Sequence, residues 1–289
     1  MAHHIAIYGK GGVGKSTVAA NLGAALAEMD MKVVLVGCDP KCDCTTLLHN
    51  GEPRPSVIEL IASGKRVELD RVVTRGYRGI ACIEVGDPFH TGECASRGIG
   101  RAFELLHELD VFGLLSPDLV LYDIPGDPGC LGFIRPIGNP QVRTALVVTS
   151  ADVMSLYTAN TIFRMIDRQR DGNPVASALI ANGLNGPLEE ALADDFAHRI
   201  SSRVIGTIAR SLVVKQCELY GKTVIEAAPL SNHAYVYRRL ARHIIDEKVI
   251  SSLPAPAPLP PNDLKKWARS WGDRIYELEH GVIRDGAGI

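Results

Sequence analysis

Residues 9–17 read G-K-G-G-V-G-K-S-T. They fit the pattern G-x-x-x-x-G-K-[ST], with Gly9 and Gly14 as framing glycines, Lys15 as the phosphate lysine and Ser16 as the Mg²⁺ hydroxyl. With Gly11 and Gly12 between them, the backbone N–H groups from Lys10 through Val13 to Thr17 can converge on an anion with few Cβ atoms in the way. The flanks suit the motif. His3–Tyr8 (H-H-I-A-I-Y) is a strand-like run, and Lys15–Met29 carries Val18, Leu22, Ala25, Leu26 and Met29 at helical spacing. Phosphates would meet a helix N-terminus, where the macrodipole favours negative charge. Lys10 is an addition to this pattern and has two readings. It is a solvated loop lysine, or it reaches across a two-fold interface to the nucleotide of a second copy, supplying transition-state charge as an arginine finger does.

Beyond the loop, strand-like runs alternate with helical ones. Strands are expected at Lys32–Gly37, Ile80–Val85, Asp118–Asp123, Thr144–Thr149, Val175–Asn182 and Val204–Ile208, with helices at Arg97–Leu109, Val153–Arg168, Leu188–Ile200 and Asn232–Lys248. Near-continuous apolar strands separated by helices predict an α/β fold with a doubly wound, mostly parallel sheet covered on both faces. Ligands then collect at the carboxyl ends of the strands. Residues 1–250 read as the ATPase body. The rest, 251–289, reads as a proline-rich spacer, P-A-P-A-P-L-P-P-N at Pro254–Asn262, and an amphipathic helix. In that helix Leu264, Trp267, Trp271, Ile275 and Leu278 form a stripe to be buried on the body or on a second copy.

A chain of 289 residues with 46% hydrophobic content can bury one large core. The net charge of −2 carries no overall signal for nucleic acid or membrane, and no apolar run approaches membrane-spanning length. The expectation is a cytoplasmic protein, with no nucleic acid and no membrane as partners. Its 7 cysteines should then stay reduced, which makes grouped ones candidate metal ligands.

Two aspartate-bearing segments stand where a nucleotide switch needs them. G-C-D-P-K-C-D-C offers Asp39, Lys41 and Asp43, and D-I-P-G-D-P-G-C offers Asp123, Asp127 and Cys130. A carboxylate at a strand end can hold a Mg²⁺-bound water, position an attacking water or accept its proton. Together with the phosphate loop they read as switch I and switch II. Cys94, in G-E-C-A-S-R-G, and Cys130 are each isolated. Either they are small buried residues, or a C₂ dimer assembles a four-thiolate 4Fe-4S site from two per chain.

The ordered motifs Y-G-K-G-G-V-G-K-S-T, V-G-C-D-P-K-C-D, C-A-S-R-G, Y-D-I-P-G-D-P-G-C-L-G-F and S-L-Y-T-A-N resemble the nitrogenase iron protein family, from Ile5 to about residue 280. The resemblance implies a homodimer with one ATP per subunit, Mg²⁺, and one 4Fe-4S cluster bridged by Cys94 and Cys130 of both chains. It implies hydrolysis of ATP to ADP gating single low-potential electrons, taken from ferredoxin or flavodoxin, into a separate nitrogenase-like catalytic component. It also implies roles. Lys10 matches the lysine that contacts the other subunit's nucleotide, Asp39 and Asp43 the switch-I carboxylates, and Asp123 and Asp127 those of switch II, with Asp127 positioning water. Asn182 matches an adenine-contacting asparagine, Arg210 a nucleotide-side arginine, and Arg97 the docking-face arginine that some members have ADP-ribosylated.

The departures concern the substrate. Pro128 and Gly129 replace two β-branched residues beside Cys130, and Glu93 stands where the family usually has glycine. They favour a nitrogenase-like system, with the reductase of methylthio-alkane reductase as the preferred branch. Nitrogenase itself, a tetrapyrrole reductase, and a cluster-free positioning or partitioning ATPase are the alternatives. Cys42 and Cys44 create C-x-x-x-C-x-C with Cys38, a tempting metal pattern in a segment already committed to switch I; Cys82 and Cys217 read as buried thiols.

Overall fold

A computed structural model describes residues 2–86, 95–126, 141–168 and 175–281, with the backbone alone at 95–97. Its strands are β1 (His3–Gly9), β2 (Val33–Gly37), β3 (Thr74–Arg75), β4 (Ala81–Glu84), β5 (Leu119–Asp123), β6 (Val142–Thr149), β7 (Ala176–Leu184) and β8 (Val204–Ala209). They make one sheet in the order β3-β4-β2-β5-β1-β6-β7-β8. All neighbours are parallel except the β3–β4 pair at the edge. The chain winds outward from β1 through β2 to β4, returns to β5 beside β1, then winds the other way through β6, β7 and β8. The loop leaving β1 therefore opens into the crevice where the winding reverses, which is where open α/β sheets bind ligands.

The central strands are apolar on both faces because both are covered. From β1, Ile5 and Ile7 enter one core and Ala6 and Tyr8 the other; from β5, Leu119 and Leu121 oppose Val120 and Tyr122. Helices Lys15–Ala27 and Asn232–Ile245 cover the Ile5 face. Helices Val57–Ala62, Ala95–Glu108, Val153–Arg168, Pro187–Arg199 and Pro261–His280 cover the Tyr8 face.

Two expected helices end early for visible reasons. The one from Lys15 stops at Ala27, where Glu28 caps it and Asp30 turns the chain at φ 60°. The one from Asn232 stops at Ile245, because Asp246 turns extended and its side chain caps the next turn, Glu247–Ser251. The proline-rich stretch is extended but pinned. Ala257 N–H donates to the Ile200 carbonyl at 2.7 Å, and Asn160 exchanges two bonds with the Leu259 backbone at 2.8 and 2.9 Å. Helix Pro261–His280 then places Leu264, Trp267 and Trp271 in the Tyr8-face core. Both indole N–H groups donate to the same oxygen, Asp195 Oδ2, at 2.7 and 2.8 Å. Among the described residues no helix is long and apolar enough to cross a membrane.

Candidate nucleotide and cluster site

The phosphate loop follows β1 at the sheet centre and runs directly into helix Lys15–Ala27. Gly12 and Gly14 hold φ of 78° and 95°, the left-handed region open to glycine at little cost. No heavy atom stands within 4 Å of where a Cβ on Gly11 or Gly12 would be. The Lys10 carbonyl accepts from Val13 N–H at 3.2 Å and from the Lys15 ammonium at 3.3 Å. Lys15 is buried and the Lys10 side chain is exposed, so the two lysines leave the loop in different environments. Asn182, near the end of β7, donates its Nδ2 to the Val13 carbonyl at 2.8 Å. Thr17 donates its hydroxyl to Glu218 Oε1 at 2.5 Å, tying the loop to helix Leu212–Leu219. Arg210 follows β8 with its backbone N–H on the Leu184 carbonyl at 2.8 Å, and its side chain is exposed.

Asp123 closes β5 fully buried, with Oδ2 accepting from Ser16 Oγ at 2.6 Å. Its Oδ1 has no hydrogen-bond partner. Burial pushes its carboxyl up to about 6, against the opposing pull of Lys15, Ser16 and Cys44. A hydroxyl, a buried cation and an orphaned carboxylate oxygen at a helix N-terminus fit Mg²⁺ with phosphate, since a hydrated ion supplies the donor that Oδ1 lacks. Gly126 reaches the loop from the switch-II side. Its Cα lies so close to Gly11 that an added Cβ would run into the Gly11 backbone, 2.7 Å from its Cα.

Switch I leaves β2. Asp39 Oδ1 accepts from the Lys41 backbone N–H at 3.0 Å, and the side chains of Lys41 and Asp43 are exposed. Cys42 takes a left-handed φ of 53°, a conformation costly for a residue with a Cβ. Past it, Thr45 donates both its backbone N–H and its hydroxyl to Glu84 Oε1, each at 2.7 Å. Glu84 has 2% exposure, and its Oε2 has no partner. Burial raises its carboxyl to about 7; the Thr45 bonds oppose that rise and the nearby Asp123 and Asp43 add to it. The sequence reading missed Glu84 altogether, since a glutamate closing the run A-C-I-E reads as a strand end.

Cys94, Cys130 and Asp127 lie outside the described residues, as do Glu93, Pro128 and Gly129; Arg97 lies on helix Ala95–Glu108 with its side chain outside them. The five described cysteines are free and buried. Burial raises every one of their thiols, Cys42 and Cys82 to about 12, so none is a ready thiolate. Cys38 and Cys42 donate weakly to the Val36 and Pro40 carbonyls, and Cys44 turns to Asp123. No described group of three or more His, Cys, Asp or Glu could hold a metal. The thiols of the C-x-x-x-C-x-C pattern are not gathered into such a group.

A family model described as 4Fe-4S iron sulfur cluster binding proteins, NifH/frxC family, matches residues 3–272. Nitrogenase iron protein 2 of Paenibacillus durus is 41% identical over 284 residues, covering 98% of this chain and 96% of that protein. The nitrogenase iron protein of Methanospirillum hungatei is 40% identical over 272 residues, covering 92% of this chain and 95% of that one. Among solved structures, the septum site-determining protein MinD of Pyrococcus horikoshii, complexed with Mg-ADP, superposes with a TM-score of 0.65 at 20% identity, covering 86% of this chain and 97% of that one. That likeness is one of fold.

Proposed function

From a chain that belongs to the NifH/frxC family of 4Fe-4S cluster binding proteins, we propose an ATP-hydrolysing iron–sulfur reductase component. It works as a homodimer and passes single low-potential electrons to a nitrogenase-like catalytic partner. The observation that carries this reading is the contact of Gly126 with Gly11. It lays Gly126, which precedes Cys130 by four residues in the sequence, against the phosphate loop. In this reading a nucleotide that moves the loop also moves the backbone at Gly126.

In this reading Lys15 neutralises phosphate charge, the loop amides orient the phosphates, and Ser16 with Asp123 holds Mg²⁺, which screens the phosphate oxygens when bound. Asp39 and Asp43 face the phosphates from switch I, and Asp127 positions the attacking water. In the same reading Lys10, whose side chain is exposed, contacts a second copy's nucleotide, and Asn182 and Arg210 flank the base. Cys94 and Cys130 of two chains supply the four thiolates that one 4Fe-4S cluster takes. Arg97 serves the docking face, ferredoxin or flavodoxin supplies the electrons, and the preferred partner is a carbon–sulfur bond-cleaving methylthio-alkane reductase. The support for that branch is the replacement at Pro128 and Gly129 and the carboxylate of Glu93.

Anaerobic purification without ATP tests the central claim. The protein should be brown with about four irons per dimer, as one shared cubane requires, and it should lose them in Cys94→Ala. A dimer that stays colourless after reconstitution with iron and sulfide, yet hydrolyses ATP, would mark a cluster-free ATPase instead. Electron delivery to co-purifying catalytic components then identifies the branch.

A further inference from the structure

We propose that Glu84 is a positioning residue for ATP turnover, holding switch I in register with the phosphate loop through Thr45. The inference rests on reading this site as an ATPase, and it begins with the sheet. Gly37 of β2 pairs with Glu84 of β4 on one side and with Asp123 of β5 on the other. Paired residues of parallel strands share a face, and the alternation of β2, β4 and β5 puts this row on the face of helix Lys15–Ala27. The middle member has no side chain. A Cβ on Gly37 would run into Glu84 Oε2 and come within 2.8 Å of the Cys44 Cβ, so Glu84 lies across that gap under switch I.

From there its Oε1 takes both donors of Thr45. Thr45 is itself fixed on its other side, with its carbonyl bonded to His49 Nδ1 at 2.9 Å and 1% of its surface exposed. The next residue carries the link back toward the nucleotide, because the Thr46 hydroxyl donates to the Asp43 carbonyl at 2.7 Å. One carboxylate therefore sets where the Asp39–Asp43 segment stands relative to Asp123 and Ser16.

Glu84 is 2% exposed, its Oε2 has no hydrogen-bond partner, and the neighbouring Asp123 and Asp43 act against its charge. A carboxylate kept in such a place is costly, and local rules broken at a cost concentrate at functional sites.

The test uses the purified homodimer, with wild type, Glu84→Ala, Glu84→Gln, Thr45→Val and the Glu84→Ala/Thr45→Val double variant. Glu84→Ala should lower kcat for MgATP hydrolysis on the order of tenfold, the worth of one hydrogen bond to a charged group, with KM within about twofold since the loop is untouched. Glu84→Gln, which keeps an acceptor, should recover most of kcat. The double variant should be no slower than Glu84→Ala, as for two members of one interaction. In nucleotide-free protein, amide exchange in a peptide spanning residues 39–48 should speed up in Glu84→Ala and stay slow in Glu84→Gln. Wild-type kcat in Glu84→Ala, additive effects in the double variant, or unchanged exchange would each overturn the proposal. If Glu84→Ala does not fold, Thr45→Val decides, and wild-type kcat there overturns it. A wild type without ATPase activity would remove the functional reading, while the exchange measurement would still decide whether Glu84 holds switch I.

Discussion

Removing the Asp195 carboxylate should loosen the C-terminal helix and can be read out by the protein's own fluorescence. Asp195 Oδ2 accepts from Trp267 and Trp271 together. Burial alone would raise this carboxyl, but the Trp271 and Trp267 bonds, with Arg199 and Arg274 behind them, outweigh it and hold the group below 3.8. A hydrogen bond to a charged group contributes about 1.5–3 kcal/mol. The Asp195 side chain is 32% exposed, so solvent screening reduces the pair to roughly 2–3 kcal/mol in total. Asp195→Ala also leaves two indole donors unpaired in a place where Trp267 and Trp271 are 5% and 6% exposed. For a chain of this size the melting temperature should fall by about 5–10 °C. Asp195→Asn keeps an oxygen for both donors and should lose less than half as much. The chain has 2 tryptophans, both on this helix, so emission reports this contact alone. In Asp195→Ala the emission should shift to the red several degrees before the bulk far-ultraviolet transition. The same staple weakens in acid, because a depressed carboxyl contributes stability that is lost as pH falls below its unfolded value. Identical melting and emission in Asp195→Ala and wild type would refute the assignment of Asp195 as the anchor.

Gly14→Ala should abolish MgADP binding by calorimetry and lower stability by about 2–3 kcal/mol, since φ 95° strains any side chain and the new Cβ meets Asn182 Nδ2, breaking its bond to Val13. The Glu84 carboxyl rises from 4.5 to about 7 on folding. Between those values the unfolded chain has released a proton that the native chain keeps, so stability falls as pH rises through the interval. At about 1.4 kcal/mol per pH unit the loss is roughly 3 kcal/mol. Denaturant titrations of nucleotide-free Glu84→Gln should lose that part of the slope, while Asp123, raised from 3.8 to about 6, keeps a slope of the same sign over its own, lower interval. Cys42→Ala and Cys44→Ser should bind as much iron as wild type by colorimetric assay, because both thiols face polar groups of switch I and the sheet; a large loss of iron would reinstate a metal role for them.

The fold was legible because its strands are apolar on both faces and its helices mostly carry stripes, so period alone separates them. Where the stripe fails, the sequence is silent. Helix Leu212–Leu219 buries only Cys217 and leaves Leu212 and Leu219 81% and 88% exposed, so nothing but the Ser211 cap announces it. Strand β3 has two residues, too short for any alternation. In the site, the phosphate loop is written locally and can be read from nine residues. Glu84 cannot, since its meaning depends on Gly37 standing opposite it on another strand and on Thr45 descending onto both. The switch-I cysteines show the converse: close in sequence, Cys38 and Cys44 belong to different core faces.

If Cys94 and Cys130 hold the cluster as proposed, the same row of the sheet offers one nucleotide a route toward both. β4, β2 and β5 are adjacent, and their carboxyl ends lead in sequence to Cys94, to switch I and to Cys130. Glu84, Gly37 and Asp123 close those three strands at one level. Asp123 is bonded to Ser16 of the phosphate loop, and Glu84 to Thr45 of switch I. Ser16 and Thr45 are thus each one hydrogen bond from the last residue of a strand that leads in sequence to Cys130 or Cys94. Two chains related by a two-fold axis would act from opposite sides of a shared cluster. Such a cluster answers to both nucleotides together, because moving one pair of thiolates alone strains the bonds to the other.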